Sequence, residues 1–280
     1  MGGKLSVNLL LKANFFRLWR SVSFWATLAV MAAVSLLELA LTAGAVRQGV
    51  PVPLENRYGI FVLVSSVVLS AFCSLYVGAE YSDGAVRNKL TVGHSRAAVY
   101  LANLIVCAAA GVLACLAYIL PMLAFGIPIM GMFTIPLASI LWFTLCGFIM
   151  TGAMCALYTM IAMLNQNKAV VAVICIFAAY FLLFLGIYMN SRLAEPLMIP
   201  AREYVENGQI VVQEAMPNAG YVPGAKRKVF EILYDLPGCQ AVELLSEMKA
   251  CPVRLPLVSL LAAAFSTAAG VAVFRKKDLK

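Results

Sequence analysis

Charge is scarce in this sequence: Asp, Glu, Lys and Arg make up only 12% of its 280 residues, against 63% apolar types. So little polar surface cannot coat a soluble core of this size, which excludes a single water-soluble domain and points to a chain that uses lipid as part of its solvent. Histidine occurs once, at His94, which excludes a His-paired zinc centre and an H-E-x-x-H protease. The chain has no G-x-x-x-x-G-K-[ST] run, so it does not hydrolyse ATP in the P-loop manner, and no G-x-S-x-G elbow marks a hydrolase. No catalytic, cofactor-binding or metal-ligating set stands out, and the expectation is a chain that is not itself an enzyme.

What the sequence has in quantity is long apolar runs. Six reach the length of about 20 residues that a helix needs to cross the hydrocarbon core, near residues 21–44, 58–79, 97–120, 137–163, 169–189 and 255–274. Helices are the expected spanning form, because they satisfy their own backbone hydrogen bonds and no ten-residue alternation suggests a barrel. Residues 1–20 mix apolar Leu5, Leu9 and Phe16 with Lys4, Asn8, Lys12, Arg17 and Arg20, and carry Phe15 and Trp19. That is the pattern of a helix lying in the headgroup layer. The alternative is a signal peptide cleaved near Ala43, Gly44 and Ala45, but the following apolar run is longer than an h-region of about 7 to 15 residues.

The net charge of +8 sits in short blocks between these runs, which argues for topology and against a nucleic-acid surface. Lys4, Lys12, Arg17, Arg20, Arg87, Lys89, Arg96, Lys168, Arg275, Lys276, Lys277 and Lys280 fall on one side, with only Arg47 and Arg57 in the short loops of the other. The positive-inside bias therefore predicts a multi-pass protein of the cell membrane with both termini and residues 80–96 in the cytoplasm, and residues 191–254 outside.

Several side chains invite specific readings. Ser66, Ser70, Ser74 and Gly78 recur every four residues, which places small groups on one face of the second span as a helix-packing seam. Ala262, Ser266 and Gly270 repeat the device in the last span. Glu38 is an acid within an apolar run, about 25 Å along the first span at the rise of an α-helix, so it reaches the outer interface. There it is either a partly solvated group paired with a neighbour or an ion or substrate site.

Outside, residues 203–206 and 209–212 flank Asn207-Gly208, a hairpin signal because that pair accepts positive φ. Residues 225–235 predict a short helix with Val229, Ile232 and Leu233 as its apolar side, ended by Pro237-Gly238. Cys239 and Cys251 share this segment and read as a disulfide, the alternative being two free thiols. A bridge would bring their Cα atoms within about 7 Å, so residues 239–251 could not form one straight helix.

The densest charge lies in residues 80–96. Gly84 and Gly93 bracket Val86 and Leu90, four apart, with Arg87 and Lys89 around them. This predicts one or two turns of amphipathic helix along the membrane, with Ser95 capping the third span. Acids and bases so interleaved suit a docking surface.

Glu80, Gly84, Leu90 and Gly93-His94-Ser95-Arg96 resemble the loop between the second and third spans of ABC-2-type permeases, the membrane subunits of ATP-driven exporters. Residues 234–240, Tyr-Asp-Leu-Pro-Gly-Cys-Gln, are similar to that family's external Pro and Gln pattern, and the six-span plan is similar throughout. The likeness is closest to bacterial permeases of peptide-antibiotic resistance transporters; Gly93 and Asn103 depart from the family's usual Pro and Lys.

The resemblance implies a single all-α permease domain over residues 1–280, one of two copies or related chains, surrounded by membrane lipid. Two cytoplasmic ATPase subunits would bind ATP and Mg. Residues 80–96 would be the coupling helix, with Val86 and Leu90 in an apolar cleft of the ATPase and Arg87 and Lys89 at its rim. Glu80 and Asp83 would fix the loop by capping or by pairing with Arg87, and Gly84, Gly93 and Arg96 would shape its ends. The substrate would be amphipathic, a peptide or lipid-like. Two other classes fit the residues: a non-transporting scaffold or sensor that binds a ligand through residues 191–254, and an ion-coupled carrier built on Glu38.

Overall fold

A computed structural model of the chain describes residues 2–206 and 209–277, with side chains over residues 8–201 and 214–277. The chain is all-α and polytopic, with six helices long and apolar enough to cross a bilayer. In order, α1 (Gly2–Arg20) leads into α2 (Val22–Arg47), the short α3 (Leu54–Tyr58), α4 (Phe61–Ser82), the short α5 (Ala85–Thr91) and α6 (Arg96–Met130). Then come α7 (Leu137–Leu164), α8 (Lys168–Ala194), the strands β1 (Met198–Ile199), β2 (Arg202–Glu206), β3 (Gln209–Gln213) and β4 (Met216–Pro217), α9 (Gly224–Tyr234), α10 (Gln240–Ser246) and α11 (Arg254–Lys276).

The third spanning helix runs well past residue 120, through Pro121 and Pro128. Proline breaks a helix in water, but inside a bundle neighbouring groups absorb the lost hydrogen bond and the helix continues. The second span begins earlier than its apolar run, with α3 stacked on α4 across Gly59 and Ile60.

The span formed by α3 and α4 is the centre of the bundle, with 61% of its apolar window buried, against 22% for each of α8 and α11. Phe177, Phe181 and Phe184 on α8 and Phe265 on α11 stay exposed, as helix faces toward lipid do. Helix α1 is more than a surface float: Leu10, Asn14 and Leu18, one helical face at spacing four, are buried, while Leu9, Phe16 and Trp19 face out.

The helix-packing seam is real but is covered from within. Ser66, Ser70 and Ser74 are at most 1% exposed. The Tyr158 hydroxyl of α7 donates to the Ser66 carbonyl at 2.8 Å, and a methyl group at Gly78 would lie 3.0 Å from the Lys168 side chain on α8. The seam therefore packs α4 against its own chain, and no second copy can meet it. In the last span Gly270 plays the same part, since a methyl group there would overlap the buried Tyr100 ring of α6.

The segment after α8 folds over one end of the bundle. Strands β2 and β3 pair antiparallel with Glu206 opposite Gln209, the register of a two-residue hairpin; Asn207 and Gly208 lie outside the described residues. Helix α9 forms where expected but turns differently: Val229 and Ile232 are exposed, while Tyr234 is buried with Phe230 and Leu233 packed near it.

The expected disulfide is absent, because the two cysteines face different spans. Cys239 starts α10 against α8, where its Sγ donates to the Leu182 carbonyl at 3.2 Å. Cys251 follows a 3-10 turn, Met248–Ala250, and sits on α7, where Trp142 Nε1 donates to its carbonyl at 2.9 Å and the Cys146 thiol is its hydrogen-bonding neighbour. All eight cysteines are free and buried.

Candidate functional site

The most connected polar group in the bundle is Glu80. Because α4 continues to Ser82, Glu80 lies within the helix and is fully buried, beside Tyr76 one turn earlier. Gly84 adopts φ +68, a left-handed conformation that costs glycine little, and reverses the chain so that α5 folds back under the spans. Gly93, at φ +99, ends that helix, and the Ser95 hydroxyl then caps α6 by accepting from the Ala98 amide, as the sequence predicts.

This fold-back aims Lys89 inward. Its Nζ donates to Glu80 Oε1 and, at 2.8 Å, to Asn14 Oδ1 of α1. Arg17 of α1 pairs with the same Glu80 oxygen at 2.9 Å and lies 4.0 Å from the Tyr76 ring centroid. Asn103 of α6 donates to Glu80 Oε2 at 2.6 Å and accepts from Asn14 Nδ2 at 2.9 Å, and the Tyr76 hydroxyl closes the set on the Asn14 carbonyl. One carboxylate thus ties together α1, α4, α5 and α6. Burial pulls the Lys89 ammonium below the ordinary lysine value, and the Glu80 charge opposes that pull.

Three expectations for this loop are corrected by that geometry. Glu80 pairs with Lys89 and Arg17, whereas Asp83 and Arg87 are both exposed and no ion pair joins them among the described residues. Val86 is 2% exposed and Leu90 packs on the core, so neither is free to enter another protein's cleft. Lys89 is likewise committed to the interior. The outward face of α5 and its end is Arg87, Asn88, Thr91 and Val92, the last 80% exposed. Arg96 also turns inward, donating to the Phe274 carbonyl at 3.1 Å and to the Lys277 carbonyl, where a cation suits the C-terminus of α11. The end of α11 and the Asn14 to Arg17 part of α1 therefore lie at this end of the bundle, here called the terminal end.

At the opposite, distal end, Glu38 is paired, as one of its two readings holds: Arg57 Nη1 donates to it at 2.9 Å, and the Tyr118 hydroxyl holds the Arg57 carbonyl at 2.9 Å. Glu55 is buried more deeply and accepts from the Thr134 hydroxyl and amide.

Gln240 anchors the distal segment, donating to the Asp235 and Leu255 carbonyls and accepting from the Ser259 hydroxyl at 2.7 Å. Beside it Arg254 bridges Asp235, at 3.1 Å, and Glu243. Burial is the main cause that pushes the Glu243 carboxyl up to about 7, with Asp235 adding and Arg254 opposing. A native acid with a raised value binds its proton more tightly than the unfolded chain does, so stability is lost as pH rises from the ordinary value of 4.5 through about 7. Thermal unfolding in detergent is expected to shift to lower temperature between pH 5 and pH 8, and Glu243→Gln should flatten that slope; an unchanged slope would refute the assignment.

Sequence reasoning placed Arg17 in a headgroup helix and missed Asn14 and Tyr76 altogether. The available signal is local: Asn14 stands between Leu10 and Leu18 on one helical face, and Asn103 interrupts a long apolar run. A polar group in such a position needs a partner. Compared with protein-family models and with curated proteins, the chain matches none.

Proposed function

We propose that this chain is the membrane-spanning permease subunit of an ATP-driven exporter, with ATP and Mg bound and hydrolysed by a separate ABC-type ATPase docked on the terminal end. On this reading the terminal end is cytoplasmic and the cargo is amphipathic, peptide or lipid-like. The observation that carries the proposal is the mounting of α5: Lys89 on Glu80, and Glu80 on Asn103, fasten the helix to the second and third spans while one face stays outward. A partner pushing on Arg87 and Val92 would move both spans as a unit, since the buried joints transmit displacement. Docking chemistry falls to Arg87, Asn88, Thr91 and Val92, because the inner face is occupied. A second permease copy, required by a transporter with two ATPases, must use a surface other than the covered seam.

The test begins with a search for a P-loop ATPase gene beside that of this chain, followed by reconstitution of the two proteins in nanodiscs. Stimulated ATP hydrolysis is expected, and Arg87→Glu combined with Val92→Asp should lower ATPase association about tenfold while leaving unfolding temperature unchanged, as exposed substitutions do. Full association and full transport by that variant would defeat the proposal. The ion-carrier reading loses its distinctive feature, because Glu38 is satisfied by Arg57.

A further inference from the structure

A second polar feature opens beside the Glu80 network, where α1 hands over to α2. A cavity of about 360 Å³ is lined there by Arg17, Arg20 and Lys168, by the hydroxyls of Ser21 and Ser23, and by one carboxylate, Asp83. Among the described residues no carboxylate pairs with Arg20 or with Lys168. Arg17 spends one nitrogen on Glu80, and its buried Nε and Nη2 have no hydrogen-bond partner. The Ser21 and Ser23 hydroxyls touch each other at 2.7 Å, and Ser21 does not cap α2, so the first amides of that helix also lack a side-chain partner. Three cations and unused donors facing one carboxylate make a concavity that is short of negative charge.

Its level in the bundle identifies where that charge comes from. Trp19 and Trp25, each about half exposed, flank the α1 to α2 junction, with Trp25 Nε1 donating to the Trp19 carbonyl at 2.9 Å. Half-exposed tryptophans at a helix junction mark the headgroup layer. Leu75, exposed on α4, forms the apolar wall of the same cavity. We infer that this cavity holds the phosphate of an anionic phospholipid, with Arg17, Arg20 and Lys168 around the phosphate and an acyl chain running past Leu75. Bound there, the lipid would brace the junction of α1 with α2, supply the counter-charge that Arg20 and Lys168 lack and accept from the unused Arg17 nitrogens. The inference does not depend on the export proposal.

Native mass spectrometry of the full chain in detergent, with phosphatidylglycerol or phosphatidylcholine of matched acyl chains, tests it. A phosphatidylglycerol adduct is expected to dominate, and Arg20→Gln with Lys168→Gln should lower its occupancy about tenfold. Asp83→Asn should raise occupancy. The control is Arg275→Gln with Lys276→Gln, an equal loss of charge at the end of α11, which should leave the adduct intact. Equal losses from both pairs would make the effect bulk charge and overturn the site. Displacement by millimolar inorganic phosphate, without a preference for phosphatidylglycerol, would make it a free-anion site and overturn the lipid. Both substituted pairs are on exposed side chains, so an unchanged size-exclusion profile separates lost binding from lost folding.

Discussion

Replacing Glu80 with alanine is expected to destabilise the protein by about 3–5 kcal/mol, the usual consequence of removing one partner from a buried ion pair. The effect should be large because one side chain serves three donors on three other helices: Arg17 on α1, Lys89 on α5 and Asn103 on α6. Without it, two cations face each other near a buried amide, Lys89 the more enclosed at 16% side-chain exposure against 30% for Arg17. Helix α1 depends on this joint through Asn14 as well as Arg17. Glu80→Ala should therefore lower the unfolding temperature and speed tryptic cleavage at Arg17 and Arg20 as α1 detaches. Lys89→Met should reproduce part of the loss, and combining it with Glu80→Gln should cost less than the sum of the two. An unchanged temperature and cleavage rate in Glu80→Ala would show that the network carries no stability.

Gly186→Val is expected to be the most damaging change at the distal end. A methyl group at Gly186 would lie 2.8 Å from the Cys239 Cα and 2.9 Å from its carbonyl oxygen, so α8 meets backbone, which cannot swing aside as a side chain can. Over-packing of this kind costs about 1–3 kcal/mol, and here it should lift α10 off the bundle. Burial pushes the Cys239 thiol up to about 11, so in the native protein it should react slowly with maleimide. Gly186→Val should speed its labelling severalfold while leaving tryptic cleavage of α1 as in the parent, since the Glu80 network lies at the other end. Gly152→Ala, where nothing lies within 4 Å of the new methyl group, is the matched control and should be neutral or mildly stabilising. Equal labelling rates in parent and Gly186→Val would refute the contact.

Much of this architecture is legible in residue order because its causes are local. Each spanning helix follows from a run of apolar residues too long for any other solvent, the hairpin register from Asn207-Gly208 and its flanks, and the cap of α6 from Ser95. The reversal at Gly84 and Gly93 was likewise announced by glycine, the residue that tolerates positive φ.

Partner choice is a different matter, and each correction above concerns it. Spacing places Ser66 to Gly78 on one face, but only the packing of α7 and α8 decides that the face is closed inside the chain. Lys89 and Arg87 are two residues apart and chemically alike. Which of them turns inward depends on where α1 and α6 bring Asn14 and Asn103, residues 75 positions before Lys89 and 23 after Glu80. Cys239 and Cys251 share a segment, yet α8 and α7 hold them on separate spans. By itself the sequence determined the solvent, the number of spanning helices and the turns between them, because hydrophobic length and backbone torsion are properties of neighbouring residues. Which polar groups meet was left to the tertiary structure, because a buried charge takes whatever donor another helix delivers to it, and that delivery is set by contacts between residues far apart in the chain.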